Sequence, residues 1–152
     1  MEKFIVFRLG DEEFGIGIRD AVEILKSQKI SHIPELPDFM AGVITLRGEV
    51  IPLIDMRKRL GIRPAPRNER VVIAKEANEK VGLIVDEVRE IAGFDPAEMS
   101  PPPSIFKGLR AEYMKGIGRK KDRVVIFLDL KRFLTPDEMA ALSETRERTL
   151  RA

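Results

Sequence analysis

The chain has 152 residues, 43% hydrophobic and 34% charged, a mix that belongs to globular proteins and not to disordered ones. Its 27 basic and 25 acidic residues leave a net charge of +2, so a pI near 9.0 reflects a slight imbalance and not a surface built for nucleic acid. The absence of cysteine excludes disulfide scaffolds, thiolate metal sites, iron–sulfur clusters and thiol catalysis.

Met1-Glu2-Lys3 runs straight into a strand-like segment, so no signal peptide is expected, and no apolar run approaches the roughly 20 residues that span a bilayer. A soluble cytoplasmic protein is expected. Phe4 to Leu9 is rich in β-branched and aromatic residues, Gly10 to Glu13 is a polar turn, and Phe14 to Ile18 alternates, which reads as a β-hairpin. Ala21 to Lys26 is a further short apolar stretch, and Ile30 to Ile33 ends at Pro34.

Gly42 to Gly48 and Glu49 to Ile54 read as two strands joined near Gly48. Pro52 inside the second points to an edge or a bulge, because proline cannot donate to a ladder. Asp55 is a candidate cap for a short helix through Leu60, with Gly61 as its stop. Arg70 to Ala74 and Lys80 to Val85 form a second hairpin-like pair, and Val88 to Phe94 continues the strand pattern. Asp95 to Gly108, with Pro96 and Pro101-Pro102-Pro103, is expected to be a loop without a ladder of its own. Tyr113 to Gly118 and Arg123 to Leu130 give the last strands. Thr135, Pro136 and Glu138 make a capping box for a C-terminal helix over 136–148, Leu134 and Met139 stand where a hydrophobic staple packs, and 149–152 is expected to fray. Many short strands without a βαβ rhythm indicate antiparallel β, in small barrels. No strict internal repeat is legible.

No catalytic constellation emerges, so no enzyme activity, metal or cofactor is expected. His32, the only histidine, stands alone between Ser31 and Ile33. Asp86 and Glu87 are adjacent in a strand pattern and point to opposite faces, unsuited to paired acid–base work. Gly116-Ile117-Gly118 lacks the third glycine and the following helix of a dinucleotide fingerprint. Arg57, Lys58, Arg59, Arg63, Arg67 and Arg70 form a basic cluster whose neighbours include no aromatic. It reads as a solvated helix face and loop, with partner contact as the alternative and a nucleic-acid groove as the remote one. Arg47, at a strand end before Gly48, carries a rigid fork of donors suited to a protein partner or to local carbonyls. The residues alone therefore describe a β protein whose work is binding.

Pro37-Asp-Phe-Met-Ala-Gly-Val-Ile-Thr-Leu-Arg-Gly-Glu-Val-Ile-Pro-Leu-Ile-Asp-Met56, closed by Leu60-Gly61, resembles the central signature of the CheW family. Phe4 to Ile16 is similar to that family's opening hairpin, Val81 to Asp86 to its middle strand, and Tyr113 to Gly118 with Val124 to Leu130 to its closing hairpin. The resemblance runs in order from Phe4 to about Leu142. It implies a mainly β fold of two interlocked five-stranded SH3-like barrels with a C-terminal helix, forming one domain over 1–152. It also implies a non-enzymatic adaptor of chemosensory arrays. The implied partners are the regulatory domain of a CheA-type histidine kinase and the cytoplasmic tip of methyl-accepting chemotaxis receptors, in flagellar chemotaxis or a related receptor pathway. By position it implies receptor binding by Arg47, Glu23, Ile24, Val71, Val72 and Ile91, and kinase binding by Gly42, Val43 and Gly48. Thr45, Ala21 and Met56 depart from the residues usual in the family; the first two bear on partner contacts, the third is a near-isosteric core exchange.

Overall fold

Short alternating segments separated by polar pairs leave the chain few options besides hairpins. The computed structural model describes residues 1–103, 109–133, 137, 138, 140, 141, 143 and 144. The fold is mainly β, with strands β1 (Glu2–Leu9), β2 (Glu12–Gly17), β3 (Ala21–Lys26), β4 (Met40–Leu46), β5 (Glu49–Asp55), β6 (Arg70–Glu76), β7 (Glu79–Val85), β8 (Glu87–Phe94), β9 (Met99–Ser100), β10 (Met114–Lys120) and β11 (Arg123–Leu128). The short helices are α1 (Met56–Leu60) and α2 (Leu109–Tyr113).

The strands form a six-stranded sheet, β8-β1-β2-β11-β10-β9, and a five-stranded sheet, β3-β6-β7-β5-β4. The chain starts in the first, makes all of the second, and returns, so the two subdomains interlock. We call them the terminal and the middle subdomain. They have the two-subdomain, SH3-like character expected, but the sheets are curled, not closed barrels. In the middle subdomain β3 and β4 stay edges, joined only through the bridge between Ser31 and Val43. In the terminal subdomain the two-residue β9 plays that part.

Local details follow from sequence. The Asp55 carboxylate accepts from the amides of Arg57 and Lys58 to start α1, and Gly61 ends it in the left-handed conformation at φ 67°. Arg47 and Gly48 make a two-residue turn with both φ positive, 48° and 80°, whose twist matches the flanking strands. Pro52 opposes Val43, whose own amide and carbonyl bond Ser31, and parallel pairing of β5 with β7 begins only at Leu53. The missing donor of Pro52 therefore faces β7 just before that ladder begins, and the proline sits in an inner strand, not at the expected edge.

Two expectations are revised. The stretch after Asp95 carries a capped 3₁₀ turn, Pro96–Glu98, and then β9, paired with β10. Tyr113 ends α2 and is not a strand residue. Of the expected C-terminal helix, residues 137, 138, 140, 141, 143 and 144 are helical. Leu134, Thr135, Pro136, Met139 and residues 142 and 145–152 lie outside the described residues, so the cap, the staple and the tail do too.

The core has three parts. A layer between the sheets takes Ile5, Phe7 and Ile16 from one and Ile54, Val72 and Leu83 from the other. Phe4, Phe94 and Phe127 fill the terminal subdomain, with Phe4 and Phe127 stacked at 3.9 Å between centroids. Ile44, Ile51, Leu53, Val71, Ile73 and Ile84 fill the middle one.

The two subdomains are built to one plan. In each, an edge strand pairs with a hairpin, the hairpin's second strand runs parallel to the end of a second hairpin, and a helical turn follows. Phe39, Met40, Gly42, Arg47 and Asp55 stand where Tyr113, Met114, Gly116, Lys121 and Asp129 stand. Both copies have a bulge between the methionine and the glycine, and in both the aspartate amide donates to the aromatic residue's carbonyl, at 2.8 and 2.9 Å. Gly15 and Gly82 likewise hold equivalent places, opposite Phe127 and Leu53. No repeat is legible in the sequence because the equivalent residues mostly differ in chemistry.

Candidate partner-binding surfaces

The strand pairings sort the expected partner residues by face. In the middle sheet Ile24 pairs with Val72 and Val72 with Leu83; in the terminal sheet Ile91 pairs with Ile5 and Ile5 with Ile16. Both rows belong to the layer between the sheets, and each ends at an edge strand in an exposed isoleucine, 41% accessible at Ile24 and 57% at Ile91. Exposure of a large aliphatic side chain at two equivalent edges leaves two apolar footholds that the fold does not cover. Val22 is exposed beside Ile24.

Glu23 points to the opposite face of β3 from Ile24. Its carboxylate meets the Arg47 guanidinium, carried on the β4–β5 turn at the other edge of the same sheet. The pair thus spans the mouth of the curled middle sheet. Arg47 keeps 66% of its side chain accessible, against 27% for Glu23, and uses a single nitrogen on that carboxylate. A guanidinium carries five donors, so most of this one faces outward. Gly48, the other turn residue, is exposed and open: nothing lies within 4 Å of where its Cβ would be.

Four expected residues have no surface to offer. Val71 and Val72 are buried, Val71 inside the middle subdomain and Val72 between the sheets. Central strand residues of a sheet covered on both faces cannot line a groove. Gly42 and Val43 are also buried. Val43 exchanges two hydrogen bonds with Ser31, at 2.9 and 3.0 Å, and a Cβ on Gly42 would collide with the Ser31 carbonyl. They shape the edge of the middle sheet and lie behind any contact made there. The structure therefore brings together Arg47, Glu23 and Gly48 around one mouth, and sets Ile24 and Ile91 on two separate edges.

The basic cluster reads as solvated in the sequence, and two of its members are not. Arg57 is buried, forked on Asp55 at 3.0 and 3.1 Å, and bonded to Asp86 at 2.7 Å and Glu69 at 2.9 Å. Burial opposes its charge, but the hydrogen bonds it donates to Asp55, Asp86 and Glu69 outweigh it and raise the guanidinium pKa. Burial likewise opposes ionisation of Asp86, yet the Gly10 amide, Arg57 and the Ala65 amide hold that carboxyl below the usual carboxylate range. Arg59 reaches the Phe133 carbonyl and Glu138, and lies 4.3 Å from the Phe39 ring centre and 5.0 Å from that of Tyr113. Charge counting along the chain carries no sign of these long-range partners. His32 makes a local contact of 3.1 Å to the Ala41 carbonyl. Among the described residues no three histidine, cysteine or carboxylate side chains are grouped to hold a metal, and no helix is long and apolar enough to cross a membrane.

Interlocked curled sheets with an exposed arginine turn and exposed apolar edges define a protein-interaction scaffold. Comparison with known proteins places it: a CheW-like domain matches residues 3–138, and the chain belongs to the CheW-like domain family. It is 32% identical over 141 residues to the chemotaxis protein CheW of Klebsiella aerogenes, covering 91% of this chain and 85% of that one. It is 30% identical over 147 residues to the chemotaxis protein CheW of Treponema pallidum, with 93% and 86% covered. The crystal structure of the scaffolding protein TtCheW from Thermoanaerobacter tengcongensis superposes with a TM-score of 0.79 at 37% identity, over 85% of this chain and 89% of that one. The chain is thus a chemotaxis-type scaffold of the CheW family.

Proposed function

We propose that the protein is a non-catalytic cytoplasmic adaptor that couples methyl-accepting chemotaxis receptors to the regulatory domain of a CheA-type histidine kinase. The observation that carries this reading is the Arg47 turn: a guanidinium held across the mouth of the middle subdomain by Glu23, with most of its donors directed outward. A fixed, largely open fork suits orientation of a polar partner surface. Ile24 and Ile91 supply apolar contact at the two edges, where burying each fully against a partner adds about 1.5–3 kcal/mol before the costs of association. Gly48 lies on the partner side of the turn, while Gly42 and Val43 act by fixing the edge behind it.

The deciding experiment is a titration of the full chain with the regulatory domain of the CheA-type kinase from the same organism, followed by a receptor-tip fragment. Saturable binding near micromolar, about −8 kcal/mol, is expected for the kinase domain. Arg47→His is expected to keep the fold while weakening receptor control of the kinase about tenfold. A folded chain that binds neither partner overturns the reading.

A further inference from the structure

The chain crosses between subdomains twice. Between β2 and β3 it passes through Ile18 and Arg19, both exposed. Between β7 and β8 it passes through Asp86, which is fully buried. One Asp86 carboxylate oxygen accepts from the Gly10 amide at 2.7 Å and the Ala65 amide at 3.1 Å; the other accepts from Arg57 at 2.7 Å. Its main chain is engaged as well. The amide donates to the Arg8 carbonyl at 3.1 Å, and the carbonyl accepts from the amides of Arg67 and Asn68 at 3.4 and 3.3 Å.

Arg8 and Gly10 belong to the β1–β2 hairpin of the terminal subdomain. Arg57 belongs to α1 of the middle subdomain, and Ala65, Arg67 and Asn68 to the loop that follows it. One residue therefore ties a hairpin of one subdomain to a helix and a loop of the other. The apolar layer between the sheets holds them together, but hydrophobic contact has no preferred direction. Hydrogen bonds to a buried carboxylate do, in both distance and angle.

We infer that Asp86 is a positioning residue that sets the angle between the two subdomains, and thereby couples the partner surface at the Arg47 turn to the one at Ile91. The coupling half of this rests on the adaptor reading above; the angle does not. Asp86 contacts no partner itself, because it has no exposed surface.

The test uses residual dipolar couplings on the full chain and on its D86N and R57K variants. The asparagine of the first sets an amide against the Arg57 donors, and the lysine of the second keeps the charge while removing the fork. One alignment tensor is expected to fit both sheets of the native chain. In each variant each sheet keeps its internal geometry, but the tensor fitting one no longer fits the other. The factor by which a saturating receptor-tip fragment changes kinase-domain affinity then falls to about one, while each single-partner Kd stays within about threefold of native. In the native chain, the Gly10 and Ala65 amides, held by the same oxygen, are expected to exchange hydrogen through one common opening. A folded variant whose sheets still share one tensor overturns the inference. So do separate tensors with unchanged coupling, and so do unrelated openings at Gly10 and Ala65. Failure of the native chain to bind either partner removes the adaptor reading and the coupling with it, while the tensors still decide whether Asp86 holds the angle.

Discussion

The terminal and middle subdomains share a strand plan and differ in almost everything that fills it. Inside the terminal one, Phe4 and Phe127 stack and Phe94 packs edge-on to Phe127 at 5.1 Å, around Gly118. The equivalent places in the middle one hold Val71, Leu53 and Ile44. The mouths differ too. In the terminal subdomain charges interlock from Arg8 through Glu87, Arg89, Glu13 and Arg123 to Glu90, with separations from 2.7 to 3.9 Å. At the mouth of the middle subdomain Lys80 meets Glu49 at 3.1 Å, and Arg47 meets Glu23 while most of its own side chain stays accessible. A backbone plan can thus be reused with one mouth laced by a chain of mutual ion pairs and the other carrying a more accessible guanidinium. The site proposed for a partner falls on the open copy for that reason.

The largest expected difference between the copies is at Arg57 and its equivalent, Lys131. Both follow the capping aspartate by two residues, but Arg57 is buried among three carboxylates and Lys131 is exposed. Arg57→Met leaves Asp86 buried without its cation and is expected to cost about 3–5 kcal/mol in urea unfolding. Lys131→Met should stay within about 0.5 kcal/mol. The sign of the acid response follows from the folded Asp86 pKa lying below its unfolded value. The stability it contributes is present above the ordinary carboxylate range and is lost as pH falls through the folded pKa. Acid unfolding of the native chain should therefore be steeper there than that of Asp86→Asn. Equal costs at the two positions would mean that burial of Arg57 is energetically idle.

A smaller effect separates the two interiors. A Cβ on Gly118 would collide with the rings of Phe127 and Phe94, whereas the equivalent Ile44 sits beside aliphatic side chains. Gly118→Ala is expected to destabilise by about 1–3 kcal/mol through overpacking. Adding Phe127→Leu, the residue that the middle subdomain uses there, should recover part of that loss. Thermal unfolding of the single and double variants decides it, and additive losses would show that the glycine and the phenylalanine are not matched.

These comparisons also explain what could be read in advance. The hairpins were legible because alternation and polar pairs such as Arg47-Gly48 are local signals. The caps Asp55 and Gly61 were legible for the same reason. The repeat was not, because Gly118 and Ile44, or Glu13 and Lys80, share a place and no chemistry. The strand Met99–Ser100 was hidden by its length and by the prolines after it. Arg57 reads as solvated because its partner Asp86 is remote in sequence, and Val72 reads as a receptor-binding residue because family position says nothing of burial. Arg47, Glu23, Ile24 and Ile91 came from the resemblance; that Glu23 faces Arg47 across a sheet mouth came only from the fold.

The finest difference lies in one pair that the two copies build with opposite signs. Arg123 on β11 forks the Glu13 carboxylate on β2 at 2.7 Å by two nitrogens; at the equivalent places Glu49 on β5 meets Lys80 on β7 at 3.1 Å by one. The parallel strand pairing fixes which positions meet, and either sign satisfies it. Strength should still differ, because the arginine fork is matched to a carboxylate and the hydrogen bonds Arg123 donates to Glu13 and Glu90 raise its pKa against the opposing effect of burial. Double-mutant cycles with alanine should give about 1 kcal/mol for Glu13–Arg123 and about 0.3 kcal/mol for Lys80–Glu49. Raising salt to about 1 M should erase the second and leave part of the first, since exposed charges are screened more than enclosed ones. Reversing both charges of the weaker pair, Glu49→Lys with Lys80→Glu, should leave stability within about 0.5 kcal/mol. If that reversal were instead to unfold the middle subdomain, its mouth would be set by the polarity of that pair, and the accessibility of Arg47 would have to be traced to Lys80 and Glu49 as well as to its own contact with Glu23.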